Sequence, residues 1–444
     1  MGRLFGTDGV RGKAGRAPLD PPTIRRLGAA LARVMGRGSG PVRFLSGRDT
    51  RESGAWIERE LAAGVGSQGG TLLSAGVIPT PAIAYLTPRM GCTAGVVISA
   101  SHNPFEDNGI KVFSGTGAKF TETLEADVES IMADQPDVAS GSSDAVEERD
   151  CRSEYLDHLL RILPPGAAHR GMRVAIDCAN GATTTVAPRL FDALGFDVHG
   201  IGCEPDGRNI NLGCGSTAPD LLARTVTDRG CRLGIAYDGD GDRAIFVDAA
   251  GRVVDGDAVL LLCAKQMKAE GRLHGNAVVA TVMSNIGLEL ALGEAGITTV
   301  RCPVGDKYVM DEMLRRGLSL GGEQSGHVIF SDYLFTGDGL ATSLHVLRTM
   351  AATGRELGDL ASELTRYPQV LLNVRVDRRV DLASVPPVAA VLSSVESRLA
   401  GHGRLLVRYS GTEPLLRVML EGRDEGDIRR WGQEIVDAVT RHVR

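Results

Sequence analysis

The sequence predicts a multidomain α/β protein with a smaller α+β domain at its C-terminal end. Its 444 residues exceed the roughly 250–300 at which a single core stops growing. Apolar runs of strand length alternate with amphipathic helical stretches, the pattern of parallel sheets covered by helices. Glycine, at 57 residues, gathers at the ends of apolar runs, where a strand must turn tightly into a loop.

Taken in order, "VRFLSG" (42–47) reads as a strand and precedes an amphipathic stretch from 53 to about 68. "TLLSAG", a helix opened by Thr80-Pro81, and the strand "AGVVISA" follow. A polar, apolar-poor segment, 134–150, reads as a linker and closes a first domain at 1–150. "RVAIDCANG" leads into a helical stretch, and the helical "APDLLARTVTDRG" precedes the strand of "CRLGIAYDGDGD", giving a second domain over 151–253. "NAVVATVMSN", "IGLELALGEAG", "TTVRCPVG" and "DKYVMDEMLRRG" repeat the alternation in a third domain, 254–366. Beyond "TRYPQV" the pattern becomes strand, helix, two strands, helix, the α+β reading for 367–444.

Hydrophobic content of 43% and charged content of 23% are those of a globular protein. A net charge of -6 argues against a general nucleic-acid or membrane-surface role, though a few local arginines still suffice for an anionic small substrate. The 8 cysteines form no C-x-x-C pair and are too sparse for a disulfide scaffold, so free thiols are expected. "MGRLFGTDGVRG" lacks the apolar centre of a signal peptide and the hydroxyl of a myristoylation site, and no apolar run has membrane-spanning length. A cytoplasmic location is therefore expected.

"YDGDGDRAIF" carries the strongest local chemistry. Asp238, Asp240 and Asp242 alternate with glycines just after the strand "LGIAY", and a period of two sends all three carboxylates to one side. Like charges so placed repel unless a hard cation lies between them, and oxygen ligands suit Mg²⁺ or Ca²⁺; the bland alternative is a solvated acidic turn. An EF-hand is excluded, because its sixth and twelfth positions would be Arg243 and Ala249. A dinucleotide fingerprint fails because a strand follows instead of a helix.

In "VRYSGTEPLLRV", Ser410, Gly411 and Thr412 offer hydroxyls and backbone N–H groups in a tight turn, flanked by Arg408 and Arg417. Such a turn suits a phosphate, against the plainer reading of a hairpin with exposed arginines. "GGEQSGH" presents Glu323 and Ser325 on alternate positions, able to bond neighbouring hydroxyls of a sugar, or forms an ordinary polar strand end. His327 there is either a proton relay or a satisfied core histidine.

"SASHNPFEDNGIK" (99–111) ends an apolar strand in Ser99, Ser101, His102 and Asn103, with Lys111 at its far end. A Ser-His hydrolase is rejected, since Ser101 and His102 are sequence neighbours with no G-x-S-x-G elbow. The remaining use of a serine is to carry a phosphoryl group, which brings about -1.5 to -2 charge and three acceptor oxygens. Chemistry alone does not choose between Ser99 and Ser101.

With "FGTDGVRG", "ISASHNP", "DGDGDR", "GGEQSGH" and "RYSGTEPLLR" in order over essentially the whole chain, the sequence is similar to the α-D-phosphohexomutase superfamily. "FGTDGVRG", "IDCANGA", "TVMSN" and the glutamine of "GEQSGH" resemble its glucosamine-phosphate branch. The resemblance implies three related α/β domains with mixed sheets and a C-terminal α+β domain of the TATA-box-binding-protein-like type, arranged around a central cleft. It selects Ser101 as the phosphoserine and Asp238, Asp240 and Asp242, with a phosphoserine oxygen, as ligands of one Mg²⁺. It assigns Arg11 and Lys111 to the transferring phosphate, and His102, Asn103 and Arg243 to supporting roles. Glu323, Ser325 and His327 fall in the sugar region; Arg408, Ser410, Gly411, Thr412 and Arg417 match the loop that holds the other phosphate. Asp306 stands where the mannose- and glucose-phosphate branch often has histidine, and Lys307 where arginine is more usual, so no proton shuttle is assigned there.

The implied activity is a reversible conversion of glucosamine 6-phosphate to glucosamine 1-phosphate through a 1,6-bisphosphate, supplying amino-sugar and peptidoglycan precursors. Charging of Ser101 is expected from a glucosamine 1,6-bisphosphate-type activator or by autophosphorylation. The small domain is expected to open and close about residues 365–370, and the superfamily leads one to expect a homodimer. Rival readings are a mutase for mannose or glucose phosphates, a Mg²⁺-dependent sugar-phosphate hydrolase, and a silent sugar-phosphate-binding regulator; the last would not need Ser101 and the aspartates together.

Overall fold

The computed structural model of the chain describes residues 4–6, 8–38, 40–134, 146–163, 169–410 and 414–443. The chain forms two compact units, one of Met1–Met283 with Gly296–Glu363, the other of Ser284–Ala295 with Leu364–Arg444.

The larger unit holds three sheets. The first runs Val10–Lys13, Asp107–Ser114, Ala94–Ile98, Arg43–Arg48, Thr71–Val77, Glu147–Glu148. The second runs Val253–Val254, Ala244–Asp248, Leu233–Tyr237, Arg173–Asp177, Asp197–Ile201, and the third Thr298–Cys302, Ala277–Thr281, Leu320–Gly322, Val328–Phe330. The alternation of strands and helices points to parallel sheets, and each sheet is parallel in part but antiparallel at one side, the mixed form that the family resemblance implied. The reason is loop length. Residues 99–106, 238–243 and 323–327 are shorter than the dozen or so a helical crossover requires, so each returns the chain as a hairpin.

Those three hairpins hold the polar motifs. Each joins a parallel strand to its antiparallel neighbour, with Ile98 opposite Ile110, Tyr237 opposite Ala244 and Gly322 opposite Val328. The strands Ala94–Ile98 and Leu233–Tyr237 are buried throughout, as expected of strands covered on both faces. Helix Pro21–Met35 shows how the covering layer forms: proline starts it, and Ile24, Leu27, Leu31 and Val34 repeat at helical spacing on its buried face.

In the smaller unit, Gln369–Arg375, Leu415–Glu421 and Arg404–Tyr409 form an antiparallel sheet. Val388, Val395 and Leu399 of helix Pro386–Leu399 join Ile428, Ile435 and Val439 of helix Glu425–His442 in its core. Segment Ser284–Ala295 belongs to this unit by its contacts. The Asn285 side chain accepts from Tyr367 N at 3.0 Å and donates to Tyr367 O at 2.9 Å. Among the described residues no helix is long and apolar enough to cross a membrane.

Candidate active site

The strand Ala94–Ile98 delivers Ser99 and Ser101 into a buried turn, and the structure gives the two serines different work. Ser99 Oγ donates to Asp49 at 2.5 Å and accepts from Ser101 N at 2.9 Å, so it holds the loop. Ser101 has φ of 52°, a left-handed conformation that costs a non-glycine residue about 1–3 kcal/mol and persists where surroundings enforce it. Its Oγ donates to Asp238 Oδ2 at 2.5 Å and lies 3.2 Å from His102 Nδ1.

Arg51 supplies much of that enforcement. Fully buried and paired with Asp49 at 2.9 Å, it donates to the carbonyls of Ser101 at 2.9 Å, Asn103 at 2.8 Å and Asp107 at 3.0 Å, and to that of Pro104. Asn211 Nδ2 reaches the Ser101 and Asn103 carbonyls from the second sheet's domain, at 2.9 and 3.1 Å. Asn103 Nδ2 donates to Asp107 at 3.0 Å, which leaves its role within the loop itself.

The acidic loop meets this turn closely. A Cβ at Gly239 would lie 2.5 Å from the Ser101 carbonyl oxygen, and Gly241 has φ of +74°. Glycine is required at both for different reasons: contact at the first, backbone conformation at the second. Asp238, Asp240 and Asp242 are all buried and can bring one oxygen each within 4.8 Å of one another. Burial and the charges of Asp242 and Asp240 push Asp238 well above the usual carboxylate range. Burial also opposes charge at Asp242, but Lys111 and His327 outweigh it and hold that carboxyl low.

Asp240 Oδ1 and Asp242 Oδ1 are buried without a hydrogen-bond partner. Burying an ionised carboxylate oxygen unpaired is expensive, and an all-oxygen donor set of this kind fits a hard divalent cation. The residues present thus suit the metal ion that the family resemblance implies.

Lys111 is buried with its Nζ 2.8 Å from Asp240, 2.9 Å from Asp8 and 3.5 Å from Asp242. Burial alone would lower its pKa; the carboxylates of Asp240 and Asp8 outweigh that and keep it firmly cationic. Lys119 extends the network, bonding Asp8 at 2.8 Å and also Asp306. Arg11 pairs with Asp8 at 2.6 Å, with its Nε buried and unpartnered. Arg243 lies 3.7 Å from Asp242, and its backbone N–H donates to Asp238 at 3.2 Å.

His327 accepts from Gly337 N at Nε2, 3.1 Å away, which places the proton of the neutral ring on Nδ1, 3.6 Å from Asp242 Oδ2. Glu323 accepts from Gly305 N at 3.1 Å, and Ser325 Oγ is buried without a partner. A cavity of about 390 Å³ is lined by Arg11, Asp242, Arg243, Asp306 and Glu323 among others.

In the smaller unit, Arg408 and Arg417 stand directly opposite one another on adjacent antiparallel strands. Ser410 is buried, its N–H donating to Leu415 O at 2.8 Å and its carbonyl accepting from Arg379 at 2.6 Å. Gly411 and Thr412 lie outside the described residues.

Sequence reading singled out Ser101, Lys111, the aspartates and Glu323 but passed over Asp49, Arg51, Thr80 and Lys119. Thr80 Oγ1 donates to Asp240 Oδ2 at 2.6 Å. A signal for Asp49 and Arg51 was available: "VRFLSG" runs into "RDTRES", the same polar strand ending seen at 99–103. Thr80 and Lys119 carried none, because a threonine opening a helix and a lysine beyond a turn are ordinary there.

Models of the four phosphoglucomutase/phosphomannomutase domains match the chain in order: alpha/beta/alpha domain I over 2–138, domain II over 153–251, domain III over 255–367 and the C-terminal domain over 371–438. A phosphoglucosamine mutase of Syntrophotalea carbinolica is 47% identical over 447 residues, covering 99% of this chain and 98% of its own. One of Solibacter usitatus is 48% identical over 443 residues, covering 99% of both. Among solved structures, a phosphoglucomutase/phosphomannomutase family protein of Burkholderia thailandensis superposes with TM-score 0.81 at 23% identity, covering 99% of this chain and 97% of that one. An Aspergillus fumigatus N-acetylphosphoglucosamine mutase, in complex with GlcNAc-6P and magnesium, gives 0.65 at 18% identity, with coverage of 98% and 95%. Matched in all four domains and nearly half identical to whole-length relatives, the chain belongs to the phosphoglucomutase/phosphomannomutase family.

Proposed function

We propose that the protein interconverts glucosamine 6-phosphate and glucosamine 1-phosphate, with Ser101 as the phosphoryl carrier and Mg²⁺ as the ion of the acidic loop. The observation that carries the reading is Ser101 Oγ at 2.5 Å from Asp238, in a turn whose neighbouring Asp240 is bonded by Lys111 at 2.8 Å. Relatives named phosphoglucosamine mutase, 44–48% identical along the chain, favour glucosamine over mannose or glucose phosphates.

In the forward direction the bond from phosphorus to Ser101 Oγ breaks and a bond to the sugar O1 forms, with the O1 proton passing to a base. In the second transfer the bond from phosphorus to the sugar O6 breaks and the bond to Ser101 Oγ forms again, O6 taking up the proton that the base received, which restores the carrier. Phosphoryl transfer asks a protein mainly for positioning and charge stabilisation. Asp238, Asp240 and Asp242 would hold the divalent cation, which would supply positive charge against that of the transferring phosphoryl group. Lys111 and Arg11 add fixed positive charge beside it, and the Arg51 and Asn211 bonds aim Ser101. Glu323 and Ser325 present an acceptor and an uncommitted hydroxyl for sugar hydroxyls, and Arg408 with Arg417 is the proposed anchor for the phosphate that stays. A bisphosphate or autophosphorylation charges Ser101, and the protein works in the cytoplasm.

The test is a rate comparison of glucosamine, glucose and mannose 6-phosphates with prephosphorylated enzyme, alongside an assay for released inorganic phosphate. Glucosamine 6-phosphate is expected to turn over fastest, without stoichiometric phosphate release. Faster turnover of mannose or glucose phosphate, or release matching substrate loss, would replace this reading. Ser101→Ala should abolish turnover; an undiminished rate sinks the carrier role.

A further inference from the structure

A second cavity, of about 270 Å³, shares no lining residue with the one around Asp242. Its walls come from helix Arg152–Leu159, helix Gly339–Thr353 and the segments that follow Leu159, Ala269 and Phe330. Arg161, Arg272 and Arg348 line it against a single carboxylate, Asp332. In a chain of net charge -6 that is a local inversion of sign.

The guanidiniums are incompletely neutralised. Arg272 and Arg348 share Glu270 at 2.9 Å each, and Arg272 lies 3.9 Å from Asp332. Among the described residues Arg161 has no carboxylate partner, although it is exposed and free to take one.

Unpartnered polar groups belong to the same lining residues. His158 and His345 are 9% and 5% exposed. Both ring nitrogens of His158, Nε2 of His345 and the Tyr333 hydroxyl are buried without a hydrogen-bond partner. Stacking occupies the ring faces: His158 lies between Tyr85 and Tyr333 with centroids 3.7 and 4.0 Å away, and His345 lies 3.9 Å from Phe330. For His158 only the ring edge remains to meet a ligand. Burial, with Arg89 and Arg161 nearby, holds His158 down to about 4; burial, with Arg272 and Arg348, holds His345 down to about 3. Each imidazole is therefore neutral near pH 7 and offers one N–H.

Buried polar groups are ordinarily satisfied, so this many unpartnered atoms beside surplus guanidinium charge point to an absent acceptor. We propose that the cavity is a second ligand site that takes the phosphate group of a small molecule, held by Arg161, Arg272 and Arg348 with His158, Tyr333 and His345 donating to its oxygens. Three forked guanidiniums match the three free oxygens of a phosphate monoester better than the two of a carboxylate. The volume exceeds what one inorganic phosphate fills, which leaves room for an organic group.

The full chain and its Arg161→Ala and Arg348→Ala variants are titrated by ³¹P NMR with inorganic phosphate and, separately, with glycerol 3-phosphate, at constant ionic strength. Phosphate binding at the acidic-loop site is common to all three proteins, so the difference reports on this cavity. Each variant is expected to lose one class of sites, weakening it at least tenfold for one or both probes. Tighter binding of the ester identifies a phosphorylated metabolite, and equal binding identifies free phosphate. Indistinguishable titrations of the three proteins overturn the proposal. Crystals grown with tungstate supply a second readout: an anomalous peak beside Arg161 supports the site, and peaks confined elsewhere overturn it. Arg161 is exposed, so Arg161→Ala keeps the test independent of folding.

Discussion

Single buried charges in this protein are held by different means, and the differences predict how it responds to pH. Asp177, fully buried at the end of strand Arg173–Asp177, accepts from Ala179 N at 2.8 Å and Gly215 N at 2.7 Å. Among the described residues it has no cationic partner, and burial outweighs those two bonds, raising its pKa from 3.8 to about 6. A folded-state pKa above the unfolded one means that the folded protein keeps the proton longer. Asp177 therefore contributes stability below pH 3.8, and that contribution is lost as pH rises through about 6. At 1.36 kcal/mol per pH unit the loss is about 3 kcal/mol. Asp177→Asn should start less stable at pH 4, having lost one accepting oxygen, and then gain on the wild type by about that amount up to pH 7. Parallel denaturation profiles across this range would show Asp177 ionised throughout. Arg51 is the contrary case: Asp49 and four carbonyls surround it, so its charge is compensated where it lies.

At the scale of elements, the strand pair Arg404–Tyr409 and Leu415–Glu421 carries a like-charge conflict. Arg408 directly faces Arg417, an arrangement that destabilises a sheet by about 0.2–1 kcal/mol. Local rules broken this way mark functional positions, because an anion between the guanidiniums reverses the sign of the effect. Arg408→Leu should leave the protein unchanged or up to about 1 kcal/mol more stable in denaturant. It should raise KM for glucosamine 6-phosphate and glucosamine 1-phosphate alike. A KM effect on one isomer alone contradicts a shared anchor, and a loss of stability contradicts the repulsion. The three hairpins of the larger unit follow the same logic. Their loops place Ser101, the aspartates and Glu323 just past the ends of parallel strands, where a rigid sheet stops and polar backbone begins.

For the molecule as a whole, two compact units imply that unfolding need not be a single cooperative step. The acidic triad lies in the larger unit. A ligand that binds only the native state stabilises it by about 2.7 kcal/mol at one hundred times its dissociation constant. Mg²⁺ should therefore raise the melting transition of the larger unit and leave that of the smaller one in place, with the effect lost in Asp240→Asn. Calorimetry with and without chelator reads both transitions. A cation shift that survives Asp240→Asn would put the ion elsewhere.

The kinds of chemistry and their order along the chain were legible in the sequence. Carboxylates at a period of two, hydroxyls at a strand end and arginines flanking a turn each state a local demand that few other residue types meet. The alternation of strands and helices gave the α/β class for the same local reason. It misled over strand direction, because direction depends on whether a connection has room for a helix. Which groups meet was decided by tertiary structure alone. Ser101 faces Asp238, Lys111 lies between Asp240 and Asp8, and Lys119 joins Asp8 to Asp306, each contact spanning more than a hundred residues for at least one partner. Nothing in the spacing of residues so far apart encodes a distance between them. Sheet register and close packing, down to the 2.5 Å that excludes a side chain at Gly239, bring them together.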